Sequence, residues 1–174
     1  MVNRTILVRR SFTLLLIAVL VAIIPGCGSV NHKLSLLDTY APEPSTKIEV
    51  GRVTNETGKT FDIATEQMLA DAFAEVLRKE KLLWVGGEDH KLVLTTRIVE
   101  YEKGSAFQRW LLPGWGSTVV SIQGDLRHAD QVVGSFQARR TVSIGGGYTI
   151  GAWRTIFASV AKDVVNDLRS KIPK

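Results

Sequence analysis

One cysteine, three histidines and a run of three glycines are the residues of this 174-residue chain whose types could carry chemistry. No two of His32, His90 and His128 have the spacing that sets a metal-binding pair on one helix face, and no HExxH occurs. They read as surface-loop histidines. Ser, His and Asp are all present, but no G-x-S-x-G elbow presents a nucleophile. Gly145-Gly146-Gly147 invites a nucleotide reading and then departs from it. The sixth position of a dinucleotide fingerprint falls on Ile150, and no Gly-Lys-Ser/Thr closes a P-loop. The run reads instead as a flexible strand-to-helix connection, because glycine readily takes positive φ. Anion binding at the following helix N-terminus beside Arg154 is the alternative. No catalytic, cofactor-binding or metal-ligating set emerges, and the expectation is a protein that is not an enzyme.

Cys27 has a clearer context. Arg4, Arg9 and Arg10 precede an apolar run from Phe12 to Ile24, and Pro25-Gly26 lead into the thiol. The apolar run is about 13 residues, short of the ~20 that span a bilayer as a helix. It has the form of a cleaved secretory signal. Ile24-Pro25-Gly26-Cys27 resembles the bacterial lipobox, with Pro25 as an unusual member. The resemblance implies diacylglyceryl transfer to Cys27, cleavage before it and acylation of the new amino terminus. Residues 1–26 are then a signal peptide, and the acyl chains on Cys27 make the membrane a partner. Gly28 follows where an Asp would resemble an inner-membrane retention signal. The expected address is therefore the outer membrane, with the domain in the periplasm.

The charge balance weakens one function class. The chain holds 22 basic and 17 acidic residues. Without the arginines of residues 1–26, 19 basic residues stand against 17 acidic, a net of +2. This gives little support to nucleic-acid binding, which needs a clustered basic face. The remaining 148 residues suit one domain. A single cysteine excludes an internal disulfide, so packing alone must hold the fold.

The elements that would position these groups follow from periodicity. Residues 27–46, with Pro42, Pro44 and few apolar side chains, read as the lipidated cysteine and a flexible tether. Lys47 to Val53 alternates as a strand. Asp62, with Glu66 behind it, is a candidate N-cap for a helix reaching about Lys81, on which Ile63, Met68, Leu69, Ala72, Phe73, Val76 and Leu77 recur at helical spacing. Leu82 to Val85, Lys91 to Tyr101, Thr118 to His128 and Val132 to Ile144 read as four more strands. Matching the apolar faces of the last two requires a three-residue connection, Ala129-Asp130-Gln131, with Gly124 near Phe136 or Ala138. A final helix runs from about Ala152 to Lys171, with Trp153, Ile156, Phe157, Val160, Ala161, Val164, Leu168 and Ile172 on one face. The expected fold of residues 47–174 is a single α+β two-layer sandwich. Its order is β-α-β-β-β-β-α: a mostly antiparallel sheet of about five strands with two amphipathic helices on one face.

Two features stand out against this frame. Arg140 falls in the apolar phase of its strand, which is unfavourable unless the charge is paired. Either a bulge or edge position turns it outward, the favoured reading, or it meets an acid such as Glu100 or Asp125. The loop Phe107-Gln108-Arg109-Trp110-Leu111-Leu112-Pro113-Gly114-Trp115-Gly116 holds two of the four tryptophans. Its side chains either fold back as a lid on the core or form an exposed apolar patch. In the second case Phe107, Arg109, Trp110, Leu111, Leu112 and Trp115 are the candidate interaction residues, since Trp and Arg anchor interfaces.

The segments Ser105 to Gly116, Ala138 to Ser143 and Gly145 to Arg154 resemble a family of uncharacterised proteobacterial lipoproteins carrying a domain of unknown function. The resemblance covers roughly Lys47 to Ile172 and implies an envelope location without a biochemical activity. The element order also resembles small domains of envelope assembly and secretion lipoproteins, at the level of fold alone. The expected function is a lipid-anchored, non-enzymatic periplasmic domain that binds or scaffolds another envelope component, with an envelope protein as partner. The alternatives are a carrier or sensor of a lipid-like ligand between helices and sheet, and a hydrolase centred on His128 and Asp125.

Overall fold

The computed structural model describes residues 29–87, 90–112, 115–143 and 151–173. Cys27 and the run Gly145 to Gly147 lie outside the described residues. The elements in chain order are β1 (Val30–Leu36), β2 (Lys47–Asn55), α1 (Thr65–Lys79), β3 (Lys91–Glu102), α2 (Ala106–Leu111), β4 (Thr118–His128), β5 (Gln131–Val142) and α3 (Ala152–Lys171). The five strands form one sheet in the order β1-β5-β4-β3-β2. All pairs are antiparallel except β2 with β3, so the sheet is mixed.

Both long helices sit on the same sheet face. Phe73 of α1 meets Phe136 edge to face, and Asp163 of α3 meets Arg140, two strand periods along the same face of β5. The alternate positions Leu92, Leu94 and Ile98 of β3, Val120, Ile122 and Leu126 of β4, and Phe136 and Ala138 of β5 are buried beneath them. Leu69, Phe73 and Leu77 supply the α1 side of this core, and Ile156, Phe157, Val160, Val164 and Leu168 the α3 side. Spacings of three and four in the sequence place these residues on one stripe of each helix. These side chains form one buried cluster between helices and sheet.

The fifth strand is not the expected one. Leu82 to Val85 makes only a bridge, Leu83 to Ile48. The segment read as tether supplies the strand instead: Val30–Leu36 pairs with β5 along its whole length, Val30 opposite Arg140 and Leu36 opposite Gly134. Only Leu34 of this strand is buried. Val30, Leu34 and Leu36 do share one phase, but His32 interrupts it and Pro42 and Pro44 follow, so the segment read as tether; the unpaired edge of β5 is what recruits it.

Three smaller expectations are also revised. The β4–β5 connection is the two-residue turn Ala129-Asp130, with Ala129 at φ 51°. The faces still match because the register shifts after Leu126, which pairs with Gly134, so that Arg127 pairs with Val132. A bulge restores the phase that a longer loop was expected to supply. Gly124 does face Phe136, and its missing side chain is required, because a Cβ there would overlap the Phe136 ring and the Thr95 carbonyl. Asp62 is not the cap of α1. The N-cap is Ala64, without a side-chain bond, and Asp62 instead accepts from Lys103 at 2.7 Å, which holds its carboxyl below the usual range.

Arg140 is paired rather than turned outward. Its guanidinium donates twice to Asp163 of α3, at 2.6 and 2.7 Å, and this contact holds its pKa above the ordinary value. The acid comes from the helix laid over the sheet, not from Glu100 or Asp125. Arg139, one residue back and on the opposite face, takes Glu100 with two bonds of 3.0 Å.

Candidate functional site

The connection from β3 to β4 is the region where the chain departs from the ordinary division of apolar inside and polar outside. It leaves the sheet at Glu102 and returns at Thr118. Two glycines close its base. Gly104 and Gly116 have φ of 64° and 68°, and a Cβ on Gly104 would lie 2.6 Å from the Gly116 carbonyl oxygen. Only glycine takes both the left-handed backbone and the close approach without strain. The Ser105 amide donates to the Gly116 carbonyl at 2.8 Å. Within this closure lies α2, capped by the Ser105 hydroxyl, which accepts from the Gln108 amide at 3.3 Å.

Arg109 is the buried side chain of that short helix. One of its terminal nitrogens donates to the Gly116 carbonyl and to the Thr118 hydroxyl, both at 2.8 Å. The Thr118 hydroxyl in turn donates to the Lys103 carbonyl at 2.8 Å. The guanidinium thus ties both ends of the loop to the first residue of β4. Burial lowers its pKa from the ordinary value, though a guanidinium keeps its charge in a protein at neutral pH.

The apolar side chains point the other way. Phe107 is 65% exposed, Trp110 67%, Leu111 47%, Leu112 60% and Trp115 51%. The rings of Phe107 and Trp110 lie 6.2 Å apart, tilted by 30°. Nine large apolar side chains are exposed among the described residues, and these five of them fall within nine consecutive positions. They form a patch, not scatter, and of the two sequence readings the exposed one describes it. Five of the six candidate interaction residues share that surface. Arg109 does not: it is buried, and one of its terminal nitrogens is engaged by the Gly116 carbonyl and the Thr118 hydroxyl at the base of the loop. The glycine pair and Thr118 were missed in the sequence, although Gly104 and Gly116 flanking an aromatic loop were a visible signal.

The opposite sheet face is polar and uncovered by helices. A groove of about 320 Å³ there is lined by Lys33, Ser35, Arg97, Gln123, Asp125 and Gln137, among others. Asp125 accepts from Arg97 at 3.0 Å, while His128 packs against the Tyr40 ring at 5.6 Å. The groove includes Asp125 but not His128, so the two residues of the hydrolase alternative do not converge in it. His32 bonds Asp167 at 2.7 Å, and His90 lies 3.0 Å from Glu43. Among the described residues no group of three His, Cys, Asp or Glu side chains is placed to hold a metal ion, and no helix is long and apolar enough to cross a membrane.

Residues 52–146 match the family model of DUF4410, a domain of unknown function. The chain belongs to that family. The DUF4410 segment runs from within β2 past the end of β5, so it contains α1 and the whole Trp loop and leaves out β1 and α3. No curated protein matches the chain. Among solved structures, the fold is shared with PelC from Paraburkholderia phytofirmans, described as a dodecamer. A leucine-to-methionine variant of that protein aligns with TM-score 0.58 at 16% identity, over 81% of this chain and 98% of that one. A second crystal form aligns with TM-score 0.57 at 13% identity, over 84% and 100%. A Xanthomonas campestris protein of the DUF330 family aligns with TM-score 0.49 at 12% identity, over 76% and 95%.

Proposed function

We propose that this DUF4410 protein is a lipid-anchored periplasmic module of the outer membrane, without catalytic activity, that binds another component of the envelope through its Trp loop. The single observation that carries the reading is the outward display of Phe107, Trp110, Leu111, Leu112 and Trp115. A loop that only closed the core would turn these residues inward and leave its arginine in water. This one does the reverse, and exposed apolar patches of this kind mark contact surfaces. The envelope address rests on the lipobox-like Ile24-Pro25-Gly26-Cys27 and on Gly28 after it.

Two measurements test the reading. Cys27→Ser leaves an unprocessed precursor without acyl label; normal processing of that variant removes the anchor. Crosslinking in intact cells, followed by mass spectrometry, places Trp-loop residues against an envelope component. Trp110→Ala with Trp115→Ala removes that contact, by ~2 kcal/mol or more if they are hot spots. A crosslinking pattern unchanged by both substitutions removes the interaction. That a protein of this fold assembles as a dodecamer supports self-association as one form of scaffolding, read by light scattering of the purified protein.

A further inference from the structure

We infer that the envelope component met by the Trp loop is the lipid surface itself, in the same leaflet that holds the acyl chains of Cys27. The inference rests on the lipid-anchored reading above and goes beyond it by naming the partner and the orientation. Its basis is topological. β3 ends at Glu102 and β4 begins at Thr118, and the antiparallel ladder sets Glu102 beside Val119. β5 finishes at the same end, with Val142 opposite Thr118, and β1 starts there, with Val30 opposite Arg140. Ser29 is held at that end too, its carbonyl accepting from the Thr141 amide at 3.1 Å. The Trp loop and the first described residues therefore meet the sheet at one end. β1 lies two strands from β4 and three from β3, or about 10 to 15 Å at the usual spacing. Cys27 is two residues before Ser29, a reach of at most about 7 Å.

A lipidated Cys27 is thus leashed within a short distance of the end that displays the tryptophans. A long flexible tether would have left orientation free; pairing of β1 with β5 removes that freedom. Val30, at the same end, is a sixth of the nine exposed large apolar side chains. Trp is the residue that sits at headgroup depth, with an apolar ring and one polar edge.

Charge favours lipid over a protein partner. Arg109 is the single charged residue from Ser105 to Gly116, and it is buried. The exposed loop surface therefore carries no charge that would have to lose water on insertion. Around it Lys59 pairs with Glu102 and Lys103 with Asp62, and Arg154 stacks on Trp153 at 4.6 Å. With Lys59 and Lys103 matched by anions and Arg154 laid over an indole, insertion draws chiefly on apolar transfer rather than on anionic headgroups.

The test uses the processed full-length lipoprotein reconstituted in phosphatidylcholine vesicles whose acyl chains carry bromine, a contact quencher of tryptophan. The expected result is quenching that persists in about 1 M salt, where the Debye length is about 3 Å. Trp110→Phe with Trp115→Phe removes most of it, whereas Trp84→Phe keeps it. An alkaline carbonate wash reads the anchor separately. Protein that stays with the vesicles while Trp110 and Trp115 remain unquenched overturns the insertion and leaves the anchor standing. Quenching before a wash that strips the protein supports the insertion and removes the anchor. Unquenched tryptophans that crosslink to a second copy or to another polypeptide overturn the inference in favour of a protein interface.

Discussion

The Trp loop and the helix-covered face of the sheet are built from the same kinds of residue, put to opposite use. Under the helices, Phe73, Phe136 and Phe157 are buried and the arginine of that face, Arg140, reaches a carboxylate on α3. In the loop, Phe107, Trp110 and Trp115 face water and the arginine, Arg109, is the residue that is buried. The difference comes from length and partners. α3 has 20 residues and can lay a full apolar stripe on a sheet, whereas α2 has six and no layer to lie on. A segment that short cannot close on its own apolar contacts, so it closes on hydrogen bonds to a buried guanidinium. Its apolar side chains are then left free of any folding role.

Substitutions that attack this contrast should rank in a definite order. Phe157→Ala, in the packed layer, should lower stability by about 3–5 kcal/mol in urea melts; a loss below about 1 kcal/mol would mean that the layer is not close-packed there. Arg140→Ala strands the Asp163 carboxylate, which is largely buried, and should cost about 2 kcal/mol by the same measurement. Replacing Arg140 by Met together with Asp163 by Leu should recover part of that loss, because a matched apolar pair leaves no charge behind.

Tyr101 sharpens the comparison through pH. It is 2% exposed beside Phe61 and Phe157, and burial pushes its phenol up to about 12. The folded state holds this proton more tightly than the unfolded chain, whose tyrosine titrates near about 10. Its contribution is therefore complete below about pH 10 and is lost as pH rises toward about 12. Thermal melts across that window should show a decline that Tyr101→Phe reduces.

Trp110→Ala and Trp115→Ala should have the smallest effect on folding, within about 0.5 kcal/mol, despite the size of the side chains removed. Their effect should appear in binding instead. If either substitution costs as much as a core aromatic, the loop is part of the core and the contrast disappears.

Both long helices were legible because their signal is local. Met68 to Leu77 and Ile156 to Leu168 repeat at three and four, and any layer that covers them must meet the same faces. The phases of β4, of the central part of β5 and of β3 as far as Ile98 were legible for the same reason, and with them the two-layer α+β class; Tyr101, read in the opposite phase, reaches the core because a bulge after Ile98 shifts the register. Sequence alone also determined that Cys27 is the only thiol and that aromatic residues crowd between Gly104 and Gly116. Tertiary structure decided the rest, and in each case the deciding partner is distant in the chain. Val30–Leu36 is a strand because the edge of β5, far along the chain, lacks a neighbour. β2 runs parallel to β3 because α1 intervenes and carries the chain back to the end from which β2 started. Arg140 could be read as misplaced until α3 brought Asp163 over it. The tryptophans face water because Arg109 finds Thr118 across the base of the loop. Periodicity reports which face of an element is apolar; only the packed chain settles what that face meets.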